Sequence, residues 1–155
     1  MKEHLAALQK SVIDSFENMA FQEVSPIHQN PMPAVVLRSF RQCRMMLFKP
    51  LEGTLSMTIS PTLLKSVSAS IYGLDADEVD AEMERDVLSE LTNTIAGSWM
   101  RAISAQDQLY ELGLPELIGT DFIEIRGAPI ECSFTADNDF VDVSFFPAVQ
   151  ENINN

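Results

Sequence analysis

Four residues recur at helical intervals with side chains that solubility alone does not call for: Asp86, Glu90, Asn93 and Gly97, spaced i, i+4, i+7 and i+11. That spacing puts them on one face of a helix, with Glu90 and Asn93 projecting about a turn apart. A carboxylate in such a place can anchor a cation on another molecule. A carboxamide both donates and accepts, so it can hold a water molecule without acting as a base. Gly97 costs about 1 kcal/mol relative to alanine in mid-helix, and the bare ground it leaves lets another backbone come close. The face therefore reads as a docking surface. Other chemistries are poorly supplied. His4 and His28 lack a serine, cysteine or carboxylate at telling spacing, so no nucleophilic triad is indicated. Asp86 and Glu90 could clasp a divalent ion, but third and fourth ligands are not evident, and no metal site is expected. Cys43 and Cys132 are far apart without a CxxC or Cys/His pattern, which points to reduced, buried thiols of a cytosolic protein.

The helix that must carry this face is expected to run from Asp75 to Ser104, with Asp75 and Glu78 as its capping box. Leu88, Leu91, Ile95, Trp99 and Ala102 gather on its opposite, core-facing stripe. A first helix is expected over residues 2–24, with Leu5, Leu8, Val12, Phe16 and Met19 recurring at i+3/i+4 and Ser25-Pro26 stopping it; residues 27–33 read as a loop. A third helix starts at Ser60, an N-cap followed by Pro61 at N1, and ends at Gly73.

Between Ala34 and Ser60 the period changes. Val35, Val36 and Leu37, then Cys43, Met45 and Leu47, then Leu55, Met57 and Ile59 predict two or three strands, with a hairpin at Leu51-Glu52-Gly53. Residues 106–112 read as a weak helix closed by Gly113 and Pro115. Strands are expected over 122–125, 130–135 and 140–146, with Ala136-Asp137-Asn138-Asp139 as a turn and a frayed tail at 152–155. The fold class is α+β, a single domain over residues 1–155: an antiparallel sheet of roughly six strands with the long helices packed on one face. Helix-then-strands occurs twice. Ser11, Ser15 and Asn18 echo the spacing of Asp86, Glu90 and Asn93, a weak sign of internal two-fold duplication.

A formal charge of −13 over 155 residues argues against nucleic acid as partner, and equally against anionic membrane surfaces. No apolar run approaches the ~18 residues needed to span a bilayer. Met1 opens directly into a helical pattern with no apolar leader, so a cytoplasmic location is expected.

Asp86, Glu90 and Asn93, followed by Gly97 and, 21 residues after Asn93, by Pro115, resemble the signature of the CheC/CheX/FliY family of chemotaxis phosphatases: Asp or Ser, three residues, Glu, two residues, Asn, then at a longer interval Pro. The run from Glu90 to Ser98, ELTNTIAGS, is most similar to the CheX branch, and the strand, Ser60-Pro61 helix, Gly73 and acidic linker before it follow the same order. The resemblance implies a phosphatase acting on the phospho-aspartate of a CheY-like response regulator. Mg²⁺ would sit on the regulator, with no cofactor of the chain's own. Asn93 would enter the regulator's active site and orient the attacking water, Glu90 would pair with the regulator's active-site lysine, and Asp86, Gly97 and Pro115 would belong to the contact surface. It also implies a homodimer formed through sheet edges. CheC carries a second site on its first long helix; here Ser15 stands at the glutamate position and no proline lies near residue 41, so one site per chain is implied. The interval to Pro115 is slightly short for the family pattern, which bears on Pro115 more than on Glu90 or Asn93.

The alternative function uses the same helix face without catalysis, as a module that binds a response regulator or a flagellar-switch component. The intact Glu90/Asn93 pair favours catalysis, since binding alone would tolerate Gln or Ser at position 93. A third reading is an orphan scaffold with a decayed site.

Overall fold

The computed structural model describes residues 2–119, 122–123 and 127–148. Helix α1, Lys2–Ala20, buries Leu8, Val12, Phe16 and Ala20 at i+4 steps. It stops four residues earlier than its periodicity suggests, because Phe21 turns into the left-handed region at φ 53°. Ser25–Ile27, expected as the helix stop and the first residue of the loop, instead forms an edge strand, β1. Residues 34–37 are a one-turn helix, α2 (Ala34–Leu37), where a strand was expected. The carbonyl of Pro33 accepts the N–H groups of Val36 and Leu37, and of the apolar run only Leu37 is buried.

Strands β2 (Arg41–Lys49) and β3 (Gly53–Ile59) then form the expected hairpin, with its turn over residues 50–52. Gly53 opens β3 because a Cβ there would lie 2.3 Å from the Phe146 carbonyl oxygen and 2.7 Å from the Phe145 ring. Helix α3, Pro61–Tyr72, begins and ends as expected: Gly73 sits at φ 66° in the C-cap. Ser60, however, does not cap with its side chain. Its hydroxyl donates to the Phe140 carbonyl at 2.8 Å and accepts the Phe140 N–H at 2.7 Å, tying the helix start to the sheet.

After the central helix α4, Ala81–Ile103, residues 106–112 are not helical. Glu111–Leu112 forms β4 and Glu116–Ile118 forms β5, both antiparallel to the outer edge of β2. The Gly113 N–H donates to the Met46 carbonyl at 2.7 Å, an approach that a side chain at 113 would obstruct. Strands β6 (Ile130–Ala136) and β7 (Asp139–Pro147) form the second hairpin, its two-residue loop using Asp137 at φ 55°. Residues 122–123 are not in a strand; the rest of that expected strand and the tail at 152–155 lie outside the described residues. Among the described residues the result is one antiparallel sheet of seven strands, in the order β1-β6-β7-β3-β2-β4, with β5 also on β2.

Alternation decides which face meets the helices. Cys43, Met45 and Leu47, Leu55, Met57 and Ile59, Cys132 and Phe134, and Val141, Val143 and Phe145 form one buried cluster with the apolar stripes of α1, α3 and α4. The opposite face is buried at its centre too, but it is polar: Gln42, Ser56, Thr58, Ser133, Asp142 and Ser144. Gln42 holds the backbone of Ile123 across it, donating to the carbonyl at 2.9 Å and accepting the N–H at 3.0 Å.

Asp142 is fully buried there and accepts hydrogen bonds from Ser133 at 2.5 Å and Ser144 at 2.7 Å. Burial, joined by the neighbouring Glu131, outweighs those donors and raises its pKa to about 8. The folded-state value lies above that of the unfolded chain, so the native state holds the extra proton. Stability is therefore highest below about pH 4 on this group's account and declines as pH rises toward about 8. Asp142→Asn keeps the shape and removes the charge. It is expected to exceed wild type by about 2 kcal/mol in denaturant melts at pH 9, with the gap closing near pH 5. A gap independent of pH would refute the assignment.

Candidate functional site

The capping box at Asp75 and Glu78 forms with both its hydrogen bonds, yet it closes only a single 3-10 turn, Ala76–Glu78. Val79 then turns extended and buries its side chain. Asp80 supplies a second cap, its carboxylate accepting the Met83 N–H at 2.8 Å, and α4 starts one residue later. The helix expected from Asp75 is thus two pieces, and the site lies wholly on the second.

Along α4 the inner stripe is Val87, Leu88, Leu91, Thr92, Ile95, Ala96, Trp99 and Met100. Ala102, expected on that stripe, is exposed. Three contacts fix the helix in rotation. The Trp99 indole N–H donates to the His4 carbonyl at 2.9 Å, and its ring meets Phe145 edge-on at 5.2 Å. The hydroxyls of Ser98 and Ser11 lie 3.2 Å apart, so small residues bring α1 and α4 close together.

With the helix so held, Asp86, Glu90 and Asn93 are exposed and Gly97 is half-buried, as their spacing predicts. None of the three polar side chains has a hydrogen-bond or ion-pair partner among the described residues. Glu90 stands about 4.5 Å and Asp86 about 10 Å before Asn93 along the helix axis. Asn93 itself lines a groove of about 460 Å³ between α1 and α4, together with Asn18, Gly97, Arg101, Tyr110 and Leu112. Gly97 has an apolar neighbour in Leu112, whose Cδ1 lies 4.0 Å from where a Cβ would stand. The glycine is the floor of the groove.

Pro115 is half-buried in the connection between β4 and β5, and it is not among the residues lining this groove. Ser15 is buried while Asn18 is exposed, so the first helix presents an amide to the groove with no carboxylate at position 15; Asp14, which lines the groove one turn before Asn18, is paired with Lys10. Arg101, Tyr110 and Leu112 were missed in the sequence. The signal for Arg101 was present, since it follows Gly97 at i+4. Nothing local announces Tyr110 and Leu112, which arrive from the β4 segment. No group of three or more His, Cys, Asp or Glu side chains able to hold a metal ion occurs among the described residues. Nor is any helix among them long and apolar enough to cross a membrane.

Chemically, the arrangement offers a carboxylate and a carboxamide, unengaged and side by side, on a ridge that another protein's surface can meet.

No protein-family model matches the chain, and no curated protein matches it in sequence. Solved structures match its fold. The chemotaxis protein CheX of Desulfovibrio desulfuricans superposes with a TM-score of 0.75 at 18% identity, over 94% of this chain and 99% of that one. CheX of Vibrio vulnificus gives 0.69 at 19%, over 92% and 96%. CheX of Borrelia burgdorferi, solved in a complex with CheY, BeF3 and Mg²⁺, gives 0.66 at 13%, over 92% and 97%. The chain has the CheX fold.

Proposed function

We propose that this protein is a phosphatase of a phosphorylated, CheY-like receiver domain, acting in the cytoplasm. One observation carries the reading. Glu90 and Asn93 stand exposed and unpartnered among the described residues, on the long helix of a fold shared with CheX, one of whose structures holds CheY with BeF3 and Mg²⁺. An aspartyl phosphate is already activated, and Mg²⁺ on the receiver would offset charge on the phosphoryl oxygens, so what the second protein must add is a held water. Asn93 places its carboxamide in the receiver's site for that purpose. Glu90, one turn earlier, meets a cationic side chain of the receiver and sets the approach. Asp86 extends the acidic edge of the same ridge, and Gly97 lets the receiver's backbone come close. The assay is phosphate release from Mg²⁺-loaded, phosphorylated receiver. Acceleration by the wild-type chain is expected; binding without acceleration would instead establish a non-catalytic module on the same face.

A homodimer belongs to the same proposal. Beside the β4–β5 edge, Met46, Phe48 and Leu114 are 56%, 42% and 88% exposed around one shallow hollow, an apolar area suited to a second copy. Light scattering is expected to give twice the chain mass. A monomer at tens of micromolar would refute it.

A further inference from the structure

The stripe Asp86, Glu90, Asn93, Gly97 continues at the same interval to Arg101. Arg101 is exposed, lines the same groove as Asn93 and Gly97, and has no ion-pair or hydrogen-bond partner among the described residues. That is unexpected in a chain with 23 acidic and 10 basic residues. The acid that lines the same groove, Asp14, is held instead by Lys10 at 2.6 Å. Helical side chains lean toward the N-terminus, so an arginine at 101 leans toward Gly97 along the groove that both residues line. The groove thus has an amide at one end, bare backbone in the middle and an unpaired guanidinium at the other.

We propose that Arg101 is a docking residue whose guanidinium pairs with a carboxylate on the rim of the receiver's phosphorylation site. The proposal rests on the phosphatase reading above. A site that holds Mg²⁺ through oxygen ligands is rich in carboxylates, and a guanidinium matches a carboxylate with two parallel hydrogen bonds. Glu90 and Arg101 then meet opposite charges at two points about 16 Å apart along the helix, which fixes the direction in which the receiver lies. Such a pair also offsets the repulsion between an acidic chain and an acidic rim. As a residue in the last turn of α4, Arg101 also suits the helix dipole. That role would appear in thermal melts and leave KM alone.

The test is phosphate release as a function of receiver concentration for wild type, Arg101→Ala, Arg101→Lys and Arg101→Glu. It is paired with titration of each by receiver with and without beryllofluoride, a stand-in for the aspartyl phosphoryl group. Arg101→Ala is expected to raise KM about tenfold with kcat within about twofold, Arg101→Glu to raise it further, and Arg101→Lys to recover part of the loss. Equal-fold losses of affinity for both forms of the receiver support a carboxylate partner. A loss confined to the beryllofluoride form would put the guanidinium on the phosphoryl group and overturn the assignment, as would an unchanged KM in both Arg101→Ala and Arg101→Glu. If the wild type releases no phosphate, the phosphatase reading fails and the titrations still decide Arg101. A wild type that binds neither form overturns both.

Discussion

Asn93→Ala should cut receiver dephosphorylation at least about a hundredfold, while affinity for the beryllofluoride-loaded receiver changes by less than about threefold. A hundredfold corresponds to about 2.7 kcal/mol of barrier, within the reach of one well-held water. The structure makes this a clean substitution. Asn93 is exposed and has no partner among the described residues, so truncating it breaks no internal bond. Alanine is also the better helix former, so the fold does not suffer. Loss of rate thus reads chemistry and not unfolding. Glu90→Ala in the same assay supplies the contrast. Removing the anchor should raise KM and weaken the titration while kcat holds, because a contact made equally in ground and transition states lowers KM alone. Full activity in Asn93→Ala would remove the water-positioning role from that residue.

Trp99→Ala should lower stability by about 3–5 kcal/mol, the usual range for deleting a large buried aromatic. In a chain of this length that is a fall of roughly 10–15 °C in Tm by circular dichroism. Trp99 is fully buried and joins three elements: α4, on which it stands, the sheet through Phe145, and the start of α1 through the His4 carbonyl. The substitution opens a cavity and removes the indole's hydrogen bond to that carbonyl. Trp99→Phe keeps a ring against Phe145 and gives up the indole bond, so it should cost well under half as much. A loss below about 1 kcal/mol for the alanine variant would mean that α4 is held by other means.

The three long helices were legible because each carries a 3.6-residue apolar stripe long enough to outweigh local ambiguity, and the β2–β3 and β6–β7 hairpins because both strands alternate. The elements that were not legible are short. Strand β1 is three residues containing Pro26, β5 is three and β4 is two; each exists because a neighbouring strand offers hydrogen bonds, and a sequence does not display that offer. The Val35-Val36-Leu37 run has strand composition, but the Pro33 carbonyl draws it into a helical turn. The capping box at Asp75 and Glu78 was chemically right and topologically misleading, since Asp80 offers a rival cap five residues on. In the site, Asp86, Glu90, Asn93 and Gly97 were legible because one helix carries them all. The groove was not, because Asn18, Tyr110 and Leu112 reach it from segments far away in sequence.

The ridge and the core stripe occupy interleaved positions of the same helix, yet they share no residue. Leu91, Ile95 and Trp99 answer to the sheet and to α1, whereas Asp86, Glu90 and Asn93 answer to nothing within the described chain. Exchanging a ridge residue therefore leaves the packing untouched, and repacking the core leaves the contact surface in place. A lineage carrying this helix can change the protein it recognises by drifting at a handful of outward positions, each change tolerated by the fold before it is tested against a partner.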